Sequence, residues 1–222
     1  MRKPLKIGTR PSPLALKQTE EIKARLPNIS METIAIRTRG DMDKISGLSS
    51  MEGSDFFTRE IEDALLNSEI DAAVHSAKDL EDRIPDGLTI AAVTPSLSQF
   101  ECLVSTGGFL LKDLPSGARV GTSSRNRREA VKRFRPDLEV GDIRGDIEER
   151  LRQLDDGRFD AVIVAHAALI RLGLESRIAE IIPKDIMRPH PFQGSLAIEV
   201  RSEDKAMLKL FGALDGRRPG EA

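Results

Sequence analysis

Two spacings of apolar and polar residues alternate along the chain. Leu14, Gln18, Ile22 and Leu26 recur every fourth position, the repeat of one helix face. Ser12 before them suits an N-cap and Pro13 a first helical residue. Phe57, Ile61 and Leu65 predict a second helix, and Ile147, Leu151 and Leu154 another, with Gly157 fitting the end of the latter. Short apolar runs bounded by turn residues lie between these segments and read as buried strands.

The pattern occurs twice. "KIGTRPSPLALKQ" (Lys6–Gln18) and "RVGTSSRNRREAV" (Arg119–Val131) both run basic, β-branched, Gly, Thr, then a helix start. In the second copy Ser123 or Ser124 is placed to cap a helix ending about Phe134. "LLNSEIDAAVHSA" (Leu65–Ala77) and "QLDDGRFDAVIVAHA" (Gln153–Ala167) also match, with Asp71 and Asp160 in the same place. Strands alternating with helices twice over predict an α/β chain of two similarly built domains. The expected division is 1–94 with 194–222 as one domain and 98–190 as the other. The chain would cross near 91–98 and return near 188–196, where "MRPHPFQGSLAIEV" holds Pro and Gly before a strand that rejoins the first domain. A ligand is expected past the carboxyl ends of the strands, in a cleft between the two domains.

Composition narrows the reading. Of 222 residues 39% are hydrophobic, with eight Phe and no Trp or Tyr, so Leu, Ile, Val and Ala must form the core. A net charge of −2 gives no overall basic footprint for nucleic acid. No apolar run is long enough for a membrane span, and "MRKPLKIGTR" has no secretory pattern. One cysteine, Cys102, excludes an internal disulfide and a cysteine-cluster metal site within this chain. The three histidines are far apart, and His75 and His166 read as packed or hydrogen-bonded groups at the core edge. The expectation is a metal-free, cytoplasmic monomer.

The arginines are unevenly spread. Arg10, Arg127, Arg144, Arg150 and Arg171 follow predicted strand ends or open helices. Helix N-termini and arginine forks both favour anions, so the set suits a ligand with many carboxylates. Asp79, beside Lys78 just past the strand "DAAVHSA", is out of place among them. It fits a ligand that also carries N–H donors or becomes positive during reaction.

In order along the chain, "TRPSPLAL", "RTRGD", "DAAVHSAKDL", "GTSSRNRR", "IRGDIEERLRQLDDGRFDAVIVA", "LIRLGLESRI" and "FQGSLAIEVR" resemble the porphobilinogen deaminase (hydroxymethylbilane synthase) family. The resemblance implies two periplasmic-binding-protein-like (type II) domains and a third, small α/β domain. It implies stepwise condensation of four porphobilinogen molecules to a linear tetrapyrrole with loss of ammonia. Asp79 resembles the catalytic aspartate, and Lys78 the lysine that binds a carboxylate arm. Arg10, Ser12, Ser76, Ser123 and Ser124 match substrate-handling positions. Arg127, Arg128, Arg144, Arg150 and Arg171 match positions that grip acetate and propionate arms, and Phe57 and Gln193 line the site. "DKISGLSSMEGSD" (Asp43–Asp55) matches a mobile lid.

Three departures accompany the resemblance. The 222 residues end after "GRRPGEA", so a short form without the third domain is expected. The cysteine that carries the family's dipyrromethane cofactor would be missing with it, and Cys102, in the strand start "ECLVS", does not replace it. Dipyrromethane is therefore expected to be absent or held non-covalently. Asn126 stands where the family has an arginine, leaving Arg125 or Arg128 to compensate, and Phe192 stands for a glycine. Two alternatives remain: a non-catalytic binder of tetrapyrrole precursors or other polycarboxylates, or a subunit whose partner chain supplies the missing domain.

Overall fold

A computed structural model describes residues 3–42, 55–80 and 83–217. The expected lid, apart from the backbone of Asp55, lies outside these residues. The chain divides into two compact units, whose boundaries fall at Leu97/Ser98 and Gly194/Ser195.

The first unit holds strands β1 (Leu5–Thr9), β2 (Met31–Ala35), β3 (Ala72–Ser76) and β4 (Leu88–Val93). The second holds β5 (Glu101–Ser105), β6 (Arg119–Gly121), β7 (Glu139–Gly141), β8 (Ala161–Ala165) and β9 (Glu180–Ile182). The chain then returns to the first unit as β10 (Leu196–Arg201). Sheet order is β2-β1-β3-β10-β4 in one unit and β7-β6-β8-β5-β9 in the other. The first three strands of each order are parallel and the last two pairings antiparallel. The topology is therefore the same, except that the fourth strand is a returning segment in one unit and the opening segment in the other.

The sequence echoes have structural counterparts. Asp71 Oδ2 accepts from the Lys6 backbone N–H at 2.8 Å, and Asp160 Oδ2 accepts from that of Arg119 at 2.7 Å. The first carboxylate ties β1 to β3 and the second ties β6 to β8, the central parallel pair of each sheet. Gly8 leaves room for Ile70, whose methyl a Cβ there would overlap. A Cβ on Gly121 would likewise come within 3.1 Å of Phe159.

Helices cover both faces of each sheet, which is why the strands read as nearly continuous apolar runs. In the first unit α1 (Pro13–Arg25) and α7 (Lys205–Gly212) lie over Ile7, Val74, Leu196 and Ile198, with Ile22 and Phe211 buried among them. On the other face is α3 (Arg59–Leu66), burying Ile61 and Leu65 with Ile70 and Ala73; a short helix, α2 (Arg39–Met42), precedes it in the chain. Phe57 precedes that helix, in a single 3-10 turn. In the second unit α4 (Arg125–Phe134) packs on Leu103, Val120 and Ile163 through Val131. The opposite face carries α5 (Ile147–Asp155) and α6 (His166–Leu172), with Leu151, Leu154 and Leu169 buried.

Helix starts follow local chemistry. Ser12 accepts from the Ala15 N–H at 3.2 Å. The buried face of α1 is Ala15, Gln18, Thr19 and Ile22, displaced from the expected stripe because Leu14 is only half-buried and Leu26 is already the C-cap. Asp146 and Glu149 form a reciprocal capping box at α5. Ser124 occupies the N-cap position of α4 without a side-chain capping bond. No helix among the described residues is long and apolar enough to cross a membrane.

Candidate active site

In the first unit, the carboxyl ends of β1 and β3 and the start of α1 enclose a cavity of about 70 Å³. Arg10, Ser12, Phe57, His75, Ser76 and Asp79 are among its lining residues. Backbone geometry brings them together. The Thr9 hydroxyl donates to Val74 O at 3.2 Å, tying the ends of the two strands. β3 ends at Ser76, and a 3-10 turn at Ala77–Asp79 follows. Buried Ala77 anchors that turn through its N–H to Ser195 O at 3.0 Å. The turn leaves Lys78 half-buried and Asp79 exposed. Gln18 Nε2 donates to Ser76 Oγ at 2.8 Å, fixing the hydroxyl beside Asp79's turn.

Arg10 is held from two sides. Its guanidinium lies 4.3 Å from the centroid of the Phe57 ring and donates through Nε to Asp41 Oδ1 at 3.0 Å. Asp41 in turn accepts from the Thr38 N–H and hydroxyl, each at 3.0 Å. Burial alone would raise the Asp41 carboxyl, but Arg10 and Thr38 outweigh it and hold it below its ordinary value of 3.8. This pairing stabilises the fold above the unfolded carboxylate's pKa and is lost as pH falls through the lower folded value. Asp41→Asn should therefore lower stability near neutral pH and converge with the unsubstituted protein in acid, as read by urea unfolding across pH.

Gly40 of the "RTRGD" segment lies against the other side of the arrangement. A Cβ there would collide with the Phe57 ring. Gly40→Ala should displace Phe57 from Arg10 and cost about 1–3 kcal/mol in a thermal melt.

The second unit gathers a separate set at the carboxyl ends of its parallel strands. Ser123 Oγ donates to Ile143 O. Arg128 Nη1 donates to Val140 O at 2.9 Å and its Nη2 pairs with Asp142. Arg150 Nε donates to Gly145 O at 2.9 Å, and Arg144 O accepts from Gln153 Nε2 at 2.8 Å. Ser123, Ser124, Arg128, Arg144 and Arg150 thus collect around the segment between β7 and α5. Arg171, on α6, donates to Gly194 O at 3.0 Å. Gln193 is fully buried, its N–H on His190 O at 2.9 Å.

Arg127 is placed otherwise than expected for a gripping arginine. Its Nε and Nη2 reach both oxygens of Glu101 at 2.9 and 2.8 Å, and Nη1 donates to Ile163 O at 3.3 Å. Both side chains are at least nine-tenths buried. The fork is committed to closing α4 onto β5.

The sequence reading missed Asp41, Gln18 and Glu101. Each partners a residue it did name, across 31, 58 and 26 positions. "RTRGD" was the one signal that pointed near Asp41.

Residues 5–209 match the family model described as porphobilinogen deaminase, dipyromethane cofactor binding domain. A porphobilinogen deaminase of Chlorobium chlorochromatii is 44% identical over 219 residues, covering 97% of this chain and 70% of that protein. One of Vesicomyosocius okutanii is 42% identical, over 96% of this chain and 72% of its own length. Among solved structures, an ABC-transporter periplasmic substrate-binding protein from Coxiella burnetii superposes with a TM-score of 0.56 at 12% identity, covering 95% of this chain and 91% of its own. A putative methionine-binding lipoprotein from Bacillus subtilis gives 0.55 at 16%, covering 98% and 92%. At such identities these two show the type II two-domain fold alone. With both sequence comparisons spanning nearly all of it, the chain belongs to the porphobilinogen deaminase family.

Proposed function

We propose that this chain condenses porphobilinogen stepwise, four units to a linear tetrapyrrole, releasing one ammonia per unit. The observation that carries the reading is Asp79 on the wall of a cavity it shares with Arg10, Ser12, Phe57 and Ser76. Porphobilinogen has two carboxylates, a pyrrole N–H and an aminomethyl group. Asp79 accepts from the pyrrole N–H and, as ammonia leaves, faces the azafulvenium cation that forms. Arg10 and Lys78 take the acidic arms in the first unit. In the second, Arg128, Arg144, Arg150 and Arg171, with Ser123 and Ser124, do the same as carboxylates accumulate. Arg127 supports that unit from within.

The family's dipyrromethane, when bound, supplies the free α-carbon from which the chain grows. The basic side chains named above fit its carboxylates. Cys102 does not fit a thioether to it. The thiol is fully buried in β5, hydrogen-bonded to Val164 O at 3.5 Å, and burial pushes its pKa up to about 12, so almost none is thiolate. These residues would hold dipyrromethane without a bond to Cys102. In the folded protein Cys102 should resist a maleimide that labels it at once after unfolding. Intact mass after loading with porphobilinogen should equal that of the polypeptide, and a pyrrole adduct mapped to Cys102 would overturn this part.

The activity itself is tested by incubating the purified protein with porphobilinogen, with and without added dipyrromethane, and following ammonia and uroporphyrin. Tight binding of the monopyrrole without ammonia release would make the chain a binder instead.

A further inference from the structure

Glu199 sits in the middle of β10 among Leu196, Ala197, Ile198 and Val200, and its side chain is 0% exposed. Its Oε2 lies 3.2 Å from His75 Nε2, and its Oε1 has no hydrogen-bond partner among the described residues. The His75 side chain is only 3% exposed. β3 and β10 run antiparallel with His75 opposite Ala197, so residues 75 and 199 lie on the same face of the sheet. A buried carboxylate with one oxygen unsatisfied is a poor device for stability. A feature that costs stability in this way calls for another explanation.

The second observation is position. His75 lines the Asp79 cavity. With Nε2 on Glu199, Nδ1 is the ring nitrogen left for that cavity. A carboxylate at one nitrogen fixes the proton there, leaves the other as a base, and stabilises the imidazolium formed when it accepts a proton. The other titratable groups of the lining are Arg10 and Asp79. A guanidinium cannot accept a proton, and in the proposed function Asp79 is engaged with the pyrrole cation.

Resting on the proposed function of this cavity, we propose that His75, backed by Glu199, accepts the proton released in each condensation. The α-carbon of the growing chain bonds to the methylene carbon of the azafulvenium cation. The α C–H bond then breaks, and its electron pair restores the aromatic pyrrole. The proton passes to Nδ1 and from the imidazolium to the ammonia freed in the same turnover, which leaves as ammonium. Asp79 stabilises the cation before the bond forms, and His75 completes the step after it.

The test uses the full chain, porphobilinogen, and porphobilinogen deuterated at its free α-position. Glu199→Gln keeps the shape and removes the charge that supports the imidazolium. His75→Gln keeps an N–H donor for Glu199 and removes the base. Each should lower kcat about 100-fold with KM little changed. Each should also turn over the deuterated substrate more slowly than the ordinary one, a difference absent from the unsubstituted protein. The two variants are independent, so one that fails to fold by circular dichroism leaves the other to decide. A folded variant with unchanged kcat, or one slowed without sensitivity to α-deuterium, overturns the role and returns the pair to core packing. Asp79→Asn run in parallel separates the two levels. If Asp79→Asn turns over normally, or the unsubstituted chain not at all, the cavity assignment and this role fall together. If Asp79→Asn alone is inactive, only the role of His75 falls.

Discussion

Replacing Asp79 with asparagine is expected to nearly abolish porphobilinogen condensation while leaving binding of acidic pyrroles within a few-fold. The reason is where charge develops. In the proposed function the ligand is anionic before reaction, and Arg10 and Lys78, not Asp79, are assigned to its carboxylates. On loss of ammonia the pyrrole becomes cationic. A carboxylate about 4 Å from that cation is worth about 4 kcal/mol at an effective dielectric constant near 20, or about a thousand-fold in rate. Asparagine still accepts from the pyrrole N–H but offers no charge. The loss should appear in kcat, with calorimetry showing binding largely retained. Turnover equal to that of the unsubstituted protein in both Asp79→Asn and Asp79→Ala would remove the assignment.

The largest effect on stability is expected at the opposite kind of charge, one that never meets solvent. Arg127→Met leaves the Glu101 carboxylate enclosed with no counterpart, since both of its oxygens are held by Arg127. Breaking such a pair costs about 3–5 kcal/mol, whereas replacing both members with apolar residues of similar size is often neutral. Urea unfolding should therefore show Arg127→Met severely destabilised, and Arg127→Met with Glu101→Leu close to the starting protein. The double variant also tests the role of Arg127. If it folds and condenses porphobilinogen normally, Arg127 has a purely internal function; if it folds and its KM rises sharply, the arginine also reaches the substrate.

Asp71 and Asp160 explain why so much of the architecture was legible. Each reaches a backbone N–H 65 or 41 positions away, but the same requirement in two similarly built units left the same residues twice, with Gly8 and Gly121 making room for Ile70 and Phe159. Periodicity located α1, α3 and α5 because each lies over a sheet face and must bury a stripe, whereas the echo of the first unit and a serine cap located α4. The meeting of Arg10, Ser12, Phe57, Ser76 and Asp79 around one cavity also had a local basis, because loops at strand ends follow the strands. What the chain did not disclose were side-chain pairings that occur once, with no echo in the other unit. Arg127 reads as a ligand-facing arginine until Glu101, the first residue of β5, is seen opposite it. His75 reads as packing until Glu199, 124 positions away, is placed on its ring. Such pairs have no period and no neighbouring mark.

The shared sheet topology has an uneven consequence for assembly on the ribosome. Among the described residues the second unit is one continuous stretch, Ser98–Gly194. The first is not: β10, which lies between β3 and β4, is made about a hundred residues after β4. Until it arrives, β3 and β4 each present an open edge, the kind of surface on which nascent chains adhere to one another. The carboxylate-bearing turn after β3 is therefore set in place late, when Ser195 comes into register behind Ala77.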